Sequence, residues 1–192
     1  MVLLGDNAYN LLEKYKLPVV EYKYASDITS LEVPCVLKVP DIIHKTEANA
    51  VKIVHSEDEL EEAFNFLSKK GKVMYQPFVD GQQLILGVNK DPTFKQVIMF
   101  GLGGVHAEVF KDVAFRVCPI EDEDAEEMIS ELKSKELLFG FRGSKPVKMP
   151  LLKKILVDVS KMAVKEDILE LDINPLIING SSAHIVDARI LK

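Results

Sequence analysis

The sequence predicts an α+β protein built as two lobes. Hydrophobic residues make up 47% of its 192 positions, which is enough to form a sizeable core in one large domain or in two smaller lobes. Short apolar runs typical of strands occur together with segments of helical periodicity. A strand-like run ends at an Asp80-Gly81 turn, and this seam predicts an N-terminal lobe over residues 1–78 and a C-terminal lobe over residues 79–192.

The N-terminal lobe is predicted to hold two helices among several strands. Asp6 or Asn7 can cap a first helix, and Pro18 ends it. Ser56 and Glu59 have the spacing of a capping box ahead of the second helix. The strand candidates of this lobe are VVEYKYA, PCVLKV, AVKIV and KVMYQPFV.

The C-terminal lobe begins as a strand-rich region and continues with two helices and a closing pair of strands. One helix starts in the acidic run EDEDAEE, which suits a helix N-terminus, and the other starts at Pro150. The strand candidates are QQLILGV, QVIMF, VHAEVF and VAFRV, followed at the end by ILELDINPLII and AHIVDARI on either side of NGSS.

Composition excludes several classes of function. The chain has 24 basic and 30 acidic residues, a net charge of −6 and no basic block, so a nucleic acid is not an expected partner. It contains no run of about 18 apolar residues and no signal-peptide pattern at its start, so no membrane segment and a cytoplasmic location are expected. Cys35 and Cys118 lie in apolar runs and are predicted to be buried residues, neither metal ligands nor a disulfide.

The closing strand pair carries a candidate metal site. In ILELDINPL the side chains of Glu170, Asp172 and Asn174 share one face of the strand. A four-residue NGSS loop would place Asn174 opposite Asp187, and a two-residue turn would place Asp172 there, so Asp187 joins the oxygen-rich face in both registers. Carboxylate and amide oxygens without His or Cys suit a hard cation such as Mg²⁺. The alternative is a solvated strand face.

Four other features remain open on local sequence. Lys38 interrupts an apolar strand and needs an anionic partner, which a nucleotide phosphate or a structural carboxylate could supply equally well. Glycines at 101, 103 and 104 allow either close approach to a ligand or a tight connection. Glu108 follows on an alternating strand, where an exposed carboxylate is the default. His44, in VPDIIHKTEANAV, is either a reacting group or polar surface.

Taken in order, the motifs resemble the ATP-grasp β subunit or domain of ADP-forming acyl-CoA synthetases of the acetyl-CoA type, relatives of the succinyl-CoA synthetase β chain. The resemblance implies an ATP-grasp fold with the nucleotide bound between two lobes, and a shortened N-terminal lobe without the usual helix after YKYAS. The matching segments run through nearly the whole sequence: PCVLKVPDIIHKTEANAVKI, DPTF, MFGLGG, EVFKDVAFR, LLFGFRG, LDINPL and VDAR.

The resemblance also implies roles for particular residues. His44 matches a histidine that carries a phosphoryl group between a phosphohistidine of the partner subunit and ADP. The implied nucleotide-binding residues are Lys38 at the phosphates, Gln76, Pro77, Phe78 and Val79 at the adenine, and Glu108, and the implied Mg²⁺ ligands are Asp172, Asn174 and Asp187.

The function implied is that of one subunit of an acid-CoA ligase that forms ATP from ADP and phosphate at the expense of an acyl-CoA. The implied cofactors are ATP or ADP and Mg²⁺, and the implied partner is a CoA-binding α subunit in a hetero-oligomer. Relatives carry Gly-Gly where this chain has Ala48-Asn49-Ala50, and Glu where it has Gln83. These departures motivate an alternative, a non-catalytic nucleotide-binding assembly subunit. A third hypothesis is another ATP-grasp carboxylate ligase in which His44 is uninvolved.

Overall fold

The computed structural model describes residues 1–43, 45, 47–104, 111–140 and 145–192. Within them the chain forms eleven strands, four α-helices and one short 3₁₀ helix over Lys135–Phe139. The helices are α1 (Gly5–Lys14), α2 (Glu57–Leu67), α3 (Asp122–Glu131) and α4 (Met149–Lys165). The strands are β1 (Val2–Leu3), β2 (Lys23–Ala25), β3 (Cys35–Lys38), β4 (Val51–Val54), β5 (Val73–Pro77), β6 (Gln82–Asp91), β7 (Lys95–Leu102), β8 (Val113–Val117), β9 (Glu170–Asn179), β10 (Ser182–Ile185) and β11 (Ala188–Leu191).

The protein divides into two compact units. The small unit is Val20–Val79, and the large unit combines Met1–Val19 with Asp80–Lys192. The second boundary lies one residue from the expected seam, but the first 19 residues belong to the large unit instead of the N-terminal lobe. The physical reason is strand pairing: β1 pairs antiparallel with β11, and α1 contacts the same strand, which anchors the N-terminus to the C-terminus.

The large unit is built on a seven-stranded antiparallel sheet. Its order is β1-β11-β9-β6-β7-β8, and β10 also pairs with β9. Helices α3 and α4 pack on each other and on β7, and they bury one face of the sheet. That face supplies the fully buried side chains Leu86, Ile98, Phe100, Ile173 and Ile190. Along each strand the intervening side chains point to the other face, where the candidate metal residues lie.

The small unit is a four-stranded antiparallel sheet of order β2-β5-β3-β4, with α2 packed on β3 and β4. Its hydrophobic core combines helix residues such as Leu60 and Leu67 with strand residues such as Cys35, Leu37 and Val73. Between β2 and β3 the backbone forms no helix, as expected for a shortened lobe.

The structure corrects details of the predicted elements. Helix α1 begins at Gly5 with Leu4 at its N-cap, so neither Asp6 nor Asn7 caps it. Ser56 does cap α2, because its hydroxyl accepts a hydrogen bond from the Glu59 N–H at 3.4 Å. The Glu59 carboxylate accepts from the N–H of His55 at 2.7 Å, one residue before the position that a full capping box requires.

The predictions for α4 and for the two cysteines hold within the described residues. Helix α4 begins at Met149 with Pro150 in its first turn. Cys35 and Cys118 are buried and unbonded, as predicted. The predicted strand VHAEVF lies outside the described residues. Among the helices that are described, none has the length and apolar character needed to cross a membrane.

Candidate functional site

The closing strand pair brings the predicted metal residues together. Arg189 lies opposite Asp172 and Ala188 lies opposite Ile173, and β10 continues the antiparallel pairing with β9. Between β10 and β11 the Asn174 N–H donates to the Asp187 carbonyl at 3.3 Å. Asn174 therefore lies opposite Asp187, which is the first of the two registers that the sequence allowed.

The burial pattern of β9 separates its two faces. Leu171 and Ile173 are 1% and 0% exposed and face the core, whereas Asp172 is half-buried and Asn174 is exposed. Asp187 is also half-buried. Two carboxylates and one amide oxygen thus occupy adjacent positions on the face opposite the core, a donor set that fits a hard cation.

Asp172, Asn174 and Asp187 provide fewer ligands than a complete coordination shell needs. No group of three or more His, Cys, Asp or Glu side chains with a geometry for metal binding occurs in the described part of the protein. Because Asp172 and Asp187 supply only two carboxylates to the predicted site, a cation held there needs ligands from water or from a bound anion, which is the usual coordination of Mg²⁺ with nucleotide phosphates.

Lys38 and Gln76 form a second polar cluster, in the small unit. The exposed fractions of these two side chains are 3% and 2%. In the register of β3 and β5, Val36 lies opposite Gln76 and Lys38 lies opposite Met74, so Lys38 and Gln76 are diagonal neighbours on one face. This is the face that turns away from α2, since Cys35 and Leu37 belong to the core beneath that helix.

The segment 76–79 begins at the end of β5 and continues beyond it. The backbone and the ring of Phe78 both contact other residues of the small unit. The Phe78 N–H donates to the Pro34 carbonyl at 3.1 Å. The ring of Phe78 meets the His55 ring edge-on, with 5.7 Å between their centroids. Pro77, Phe78 and Val79 are half-buried, so this stretch has a fixed backbone and partly accessible side chains.

The loop after β3 contains Ala48-Asn49-Ala50, where the family resemblance predicts Gly-Gly. The Ala50 N–H donates to the Lys45 carbonyl at 2.7 Å, and the Ala50 carbonyl accepts from the Val39 N–H at 2.9 Å. Asn49 adopts a φ of 49°, in the left-handed region that glycine favours and asparagine tolerates. Asn49 therefore performs the backbone role of a glycine. The predicted catalytic residue His44 lies outside the described residues.

Gly101, near the end of β7, and Gly103, just after it, lie close to neighbouring backbone. A Cβ on Gly101 would lie 2.8 Å from the Asp112 carbonyl oxygen, and one on Gly103 would lie 3.2 Å from the carbonyl oxygen of Gln83. Both positions allow close approach of backbone to backbone, which is the second of the two interpretations offered by the sequence. The predicted nucleotide-binding residue Glu108 lies outside the described residues.

Asp112 is a buried carboxylate that sequence reasoning did not single out. It is 5% exposed and accepts hydrogen bonds from the N–H groups of Lys133 and Ser134, each at 2.8 Å. Burial works to raise the pKa of Asp112, but the hydrogen bonds from Ser134 and Lys133 outweigh it and lower the pKa. The carboxylate therefore stays ionised and ties the turn after α3 to the strand β8. Its position just before a strand was the only signal in the sequence.

Comparison with known proteins identifies the class of this fold and site. The chain belongs to the ATP-grasp domain family, whose model matches residues 1–191. It is 38% identical over 211 residues to the β subunit of acetate–CoA ligase [ADP-forming] I from Pyrococcus furiosus, and the match covers 98% of this sequence and 91% of that one. The acetate–CoA ligase [ADP-forming] I of Archaeoglobus fulgidus is 37% identical, and the match covers 98% of this sequence but 31% of the relative.

Solved structures agree with these relatives. The dinucleotide-forming acetyl-coenzyme A synthetase 1 of Ca. Korarchaeum cryptofilum, in complex with coenzyme A and Ca-AMPCP, superposes with a TM-score of 0.90 at 34% identity, covering 99% of this protein and 93% of the relative. A second structure of the enzyme contains Mg-AMPPCP, with a phosphohistidine segment pointing towards the nucleotide site, and gives a TM-score of 0.85 at 37% identity and 99% and 92% coverage. The protein is thus a β-subunit-like ATP-grasp domain of the ADP-forming acetyl-CoA synthetase type, as its motifs predicted.

Proposed function

We propose that this protein is the nucleotide-binding subunit of an ADP-forming acyl-CoA synthetase, which makes ATP, an organic acid and CoA from an acyl-CoA, ADP and phosphate. The observation that carries the proposal is the register of the closing strands, which aligns Asp172, Asn174 and Asp187 on one face. The sequence similarity to β subunits over nearly the whole length supports the same function.

The oxygen-rich face of β9 and the adjoining Asp187 supply the residues that would hold Mg²⁺. Asp172 and Asp187 would contribute carboxylate oxygens and Asn174 an amide oxygen. The ion, when bound, offsets the negative charge of the nucleotide phosphates. The half-burial of both carboxylates limits competition from water for their oxygens and keeps their side chains close to the sheet.

The buried polar cluster of the small unit would contact the nucleotide. Lys38 is a cation at 3% exposure, and a phosphate oxygen is a partner that can offset the cost of burying its charge. The fixed backbone of the segment Gln76–Val79 provides amide and carbonyl groups suited to the polar edge of adenine, and the ring of Phe78 provides apolar contact. Glu108 completes the proposed nucleotide-binding set.

His44 is proposed as the phosphoryl carrier, because the segment PDIIHK of this chain resembles the PDILHK motif of the family. One imidazole nitrogen attacks the phosphorus of a phosphohistidine on the partner subunit, so that a new N–P bond forms and the old N–P bond breaks. A β-phosphate oxygen of ADP then attacks the same phosphorus, which forms ATP and returns His44 to its neutral state. Imidazole suits both steps because it is a competent nucleophile near neutral pH and, once phosphorylated, a good leaving group.

The partner is proposed to be a CoA-binding α subunit that carries the first phosphohistidine. This follows from the β-subunit relatives, whose names imply a second kind of subunit. The match to only 31% of the Archaeoglobus fulgidus ligase agrees with the same division of labour, since most of that protein lies outside the match.

The test is phosphoryl transfer in reverse, from ATP labelled in its γ-phosphate. The protein incubated with this ATP and Mg²⁺ is expected to acquire a label that is labile in acid and stable in base, as a phosphohistidine is. His44→Ala is expected to remove the label, while the control His184→Ala, at a half-buried position on β10, keeps it. A label that survives in His44→Ala, or one that is stable in acid, would contradict the proposed role of His44.

A further inference from the structure

Strand β4 forms one edge of the small sheet among the described strands. It pairs antiparallel with β3, and Val36 lies opposite Ile53. The Val39 N–H donates to the Ala50 carbonyl at 2.9 Å, which fixes the alternation of hydrogen bonds along this ladder. The N–H and C=O groups of Val51 and Ile53 therefore point away from β3. An edge of this kind can accept a further strand.

The edge has few of the features that keep strands from pairing with other molecules. Its sequence VKIV contains no proline, and its pairing with β3 runs in one continuous register. Ile53 is 56% exposed on the face opposite α2, because its neighbour Val54 belongs to the core beneath that helix. Lys52 lies on the helix face, with its ammonium group 5.2 Å from the centre of the Phe66 ring. Its charge is thus directed towards α2 and not outward along the edge.

A groove of about 590 Å³ lies between β4 and α2. The groove follows the strand, because Glu59 accepts from the His55 N–H at 2.7 Å just after β4, while Phe66 meets Lys52 nearer its start. The helix side of the groove is negative near the start of α2, apolar in the middle and positive just after the end of α2. This stripe, spaced three or four residues apart, consists of Glu59, Glu62, Ala63, Phe66 and Lys69.

A second copy of this chain is the partner whose charges fit the stripe. A two-fold axis perpendicular to the sheet would pair β4 with the same strand of the other copy in antiparallel direction and place both α2 helices on one face. This reversal would bring the negative end of each stripe to the positive end of the other. With the axis at Ile53, the two Ile53 side chains would meet, and Lys52 would lie opposite Val54 and not opposite another lysine.

We propose that the edge of β4 and the groove beside α2 form a homodimer interface, through which two small sheets join into one continuous sheet. The exposed side chains of Ile53 and Phe66 would supply apolar contact on the two faces of that sheet. Glu62 and Lys69 would supply complementary charge. The inference is independent of the proposed nucleotide chemistry, since none of these four residues is a proposed nucleotide or metal ligand.

Sedimentation equilibrium of the full-length protein, over a range of protein concentrations, tests the dimer. Wild type is expected to approach twice the chain mass of 21.5 kDa as its concentration rises. Ile53→Lys places like charges across the axis and is expected to raise the dissociation constant at least about tenfold. The matched control is Phe115→Lys, at a side chain of similar exposure, 54%, on the outermost described strand of the large sheet, and it should dimerise like wild type.

Charge reversal tests the direction of the pairing. Lys69→Glu makes both ends of the stripe negative, so its self-association is expected to weaken about tenfold, because symmetry repeats the repulsion. Glu62→Lys is also expected to weaken self-association, and an equal mixture of the two variants should dimerise more tightly than either alone. Glu59 is left unchanged because it caps α2 through the His55 N–H. Added salt should weaken the wild-type dimer, since the charges are exposed.

Hydrogen exchange reports on the strand itself. The Ile53 amide is expected to exchange more slowly as the wild-type concentration rises, because this N–H would become bonded across the axis. A wild-type protein that stays monomeric would overturn the inference. A dimer that Ile53→Lys leaves intact, or one without protection of the Ile53 amide, would overturn it as well, since the copies would then meet elsewhere. Protection of this amide only after addition of an α subunit would assign the edge to that partner instead.

Discussion

At the scale of single residues, two charged side chains are buried in the described part of the protein, those of Asp112 and Lys38. For Asp112, hydrogen bonds from the Ser134 side chain and from the backbone N–H groups of Lys133 and Ser134 outweigh the cost of burial and lower the pKa of its carboxyl group. Lys38 is a buried cation on a strand of the small unit. The Asp112 carboxylate fixes a turn, and we expect the Lys38 ammonium group to bind a phosphate of the nucleotide.

Removing the charge of Asp112 is expected to destabilise the protein. Asp112→Asn keeps the size of the side chain but leaves only one oxygen for two N–H donors, so we expect the free energy of unfolding to fall by about 1–3 kcal/mol. Urea denaturation measures the change, and the exposed helix residue Glu123, replaced by Gln, is the matched control. An equal effect of the two variants would show that the hydrogen bonds of Asp112 contribute nothing particular.

At the same scale, sequence patterns revealed a residue whose type is unusual for its segment. They missed a residue whose type is ordinary there and whose contacts are distant in the sequence. Lys38 was visible because a lysine in an apolar strand is unusual. Asp112 looked like any aspartate between a loop and a strand, because its donors lie 21 and 22 residues further along the sequence. Long-range contacts of this kind are not encoded in local spacing.

At the scale of elements, the sequence predicted which side chains of β9 share a face, but it did not predict that the partner strand is interrupted. Alternation along ILELDINPL placed the oxygen-bearing side chains on one face, and the observed register keeps them there. The sequence predicted AHIVDARI as one strand, whereas the structure divides it into β10 and β11 around Val186 and Asp187. The interruption lies beside Pro175, which has no N–H to offer a continuous ladder.

The ends of α1 and α4 and the C-terminal residue Lys192 meet at Glu166. Its carboxylate accepts from Lys14 at 2.9 Å and from the Tyr15 hydroxyl at 2.6 Å, and it also pairs with Lys192. The side chain of Glu166 is 14% exposed. Its hydrogen bonds lower its pKa from 4.5 to about 2, and the bond from Lys192 has the largest effect, followed by those from Tyr15 and Lys14. The hydrogen bond between the Tyr15 hydroxyl and Glu166, together with burial and the negative charge of Glu166, raises the pKa of Tyr15 to about 12.

Because the pKa of Glu166 is lower in the folded protein, its stabilising effect is complete above the ordinary pKa of 4.5 and is lost as the pH falls towards 2. Glu166→Gln is expected to reduce the free energy of unfolding near neutral pH by about 1–3 kcal/mol. The difference from wild type should shrink as unfolding is measured at lower pH through that window. A constant difference across the window would contradict the assignment, and Asp158→Asn, which breaks an i,i+4 pair with Lys154, serves as control.

At the scale of the whole molecule, the proposed chemistry is divided between two subunits. The described units offer a lysine proposed for the nucleotide phosphates and an oxygen-rich face proposed for the metal, while the acyl and CoA chemistry is proposed for the partner. In the segment Ala48-Asn49-Ala50, Asn49 takes up a left-handed backbone that glycine also favours.

The purified protein is therefore expected to bind Mg-ADP and to form no ATP from an acyl-CoA, ADP and phosphate. Adding a CoA-binding α subunit should restore turnover, and the same complex made with His44→Ala should be inactive. A coupled assay of ATP formation checks both statements. Full activity of the protein by itself would contradict the division of labour, and equal activity of the two complexes would favour a non-catalytic assembly subunit.

The arrangement of β1 against β11 also bears on how the protein folds during its synthesis. The small unit, Val20–Val79, is one continuous stretch, whereas the large unit needs segments from both sides of it. The ribosome therefore synthesises every residue of the small unit before it synthesises β11. Strand β1 can pair only once β11 has been made. The small unit can fold while the polypeptide is still growing, and the large sheet is completed only after β11 has been synthesised.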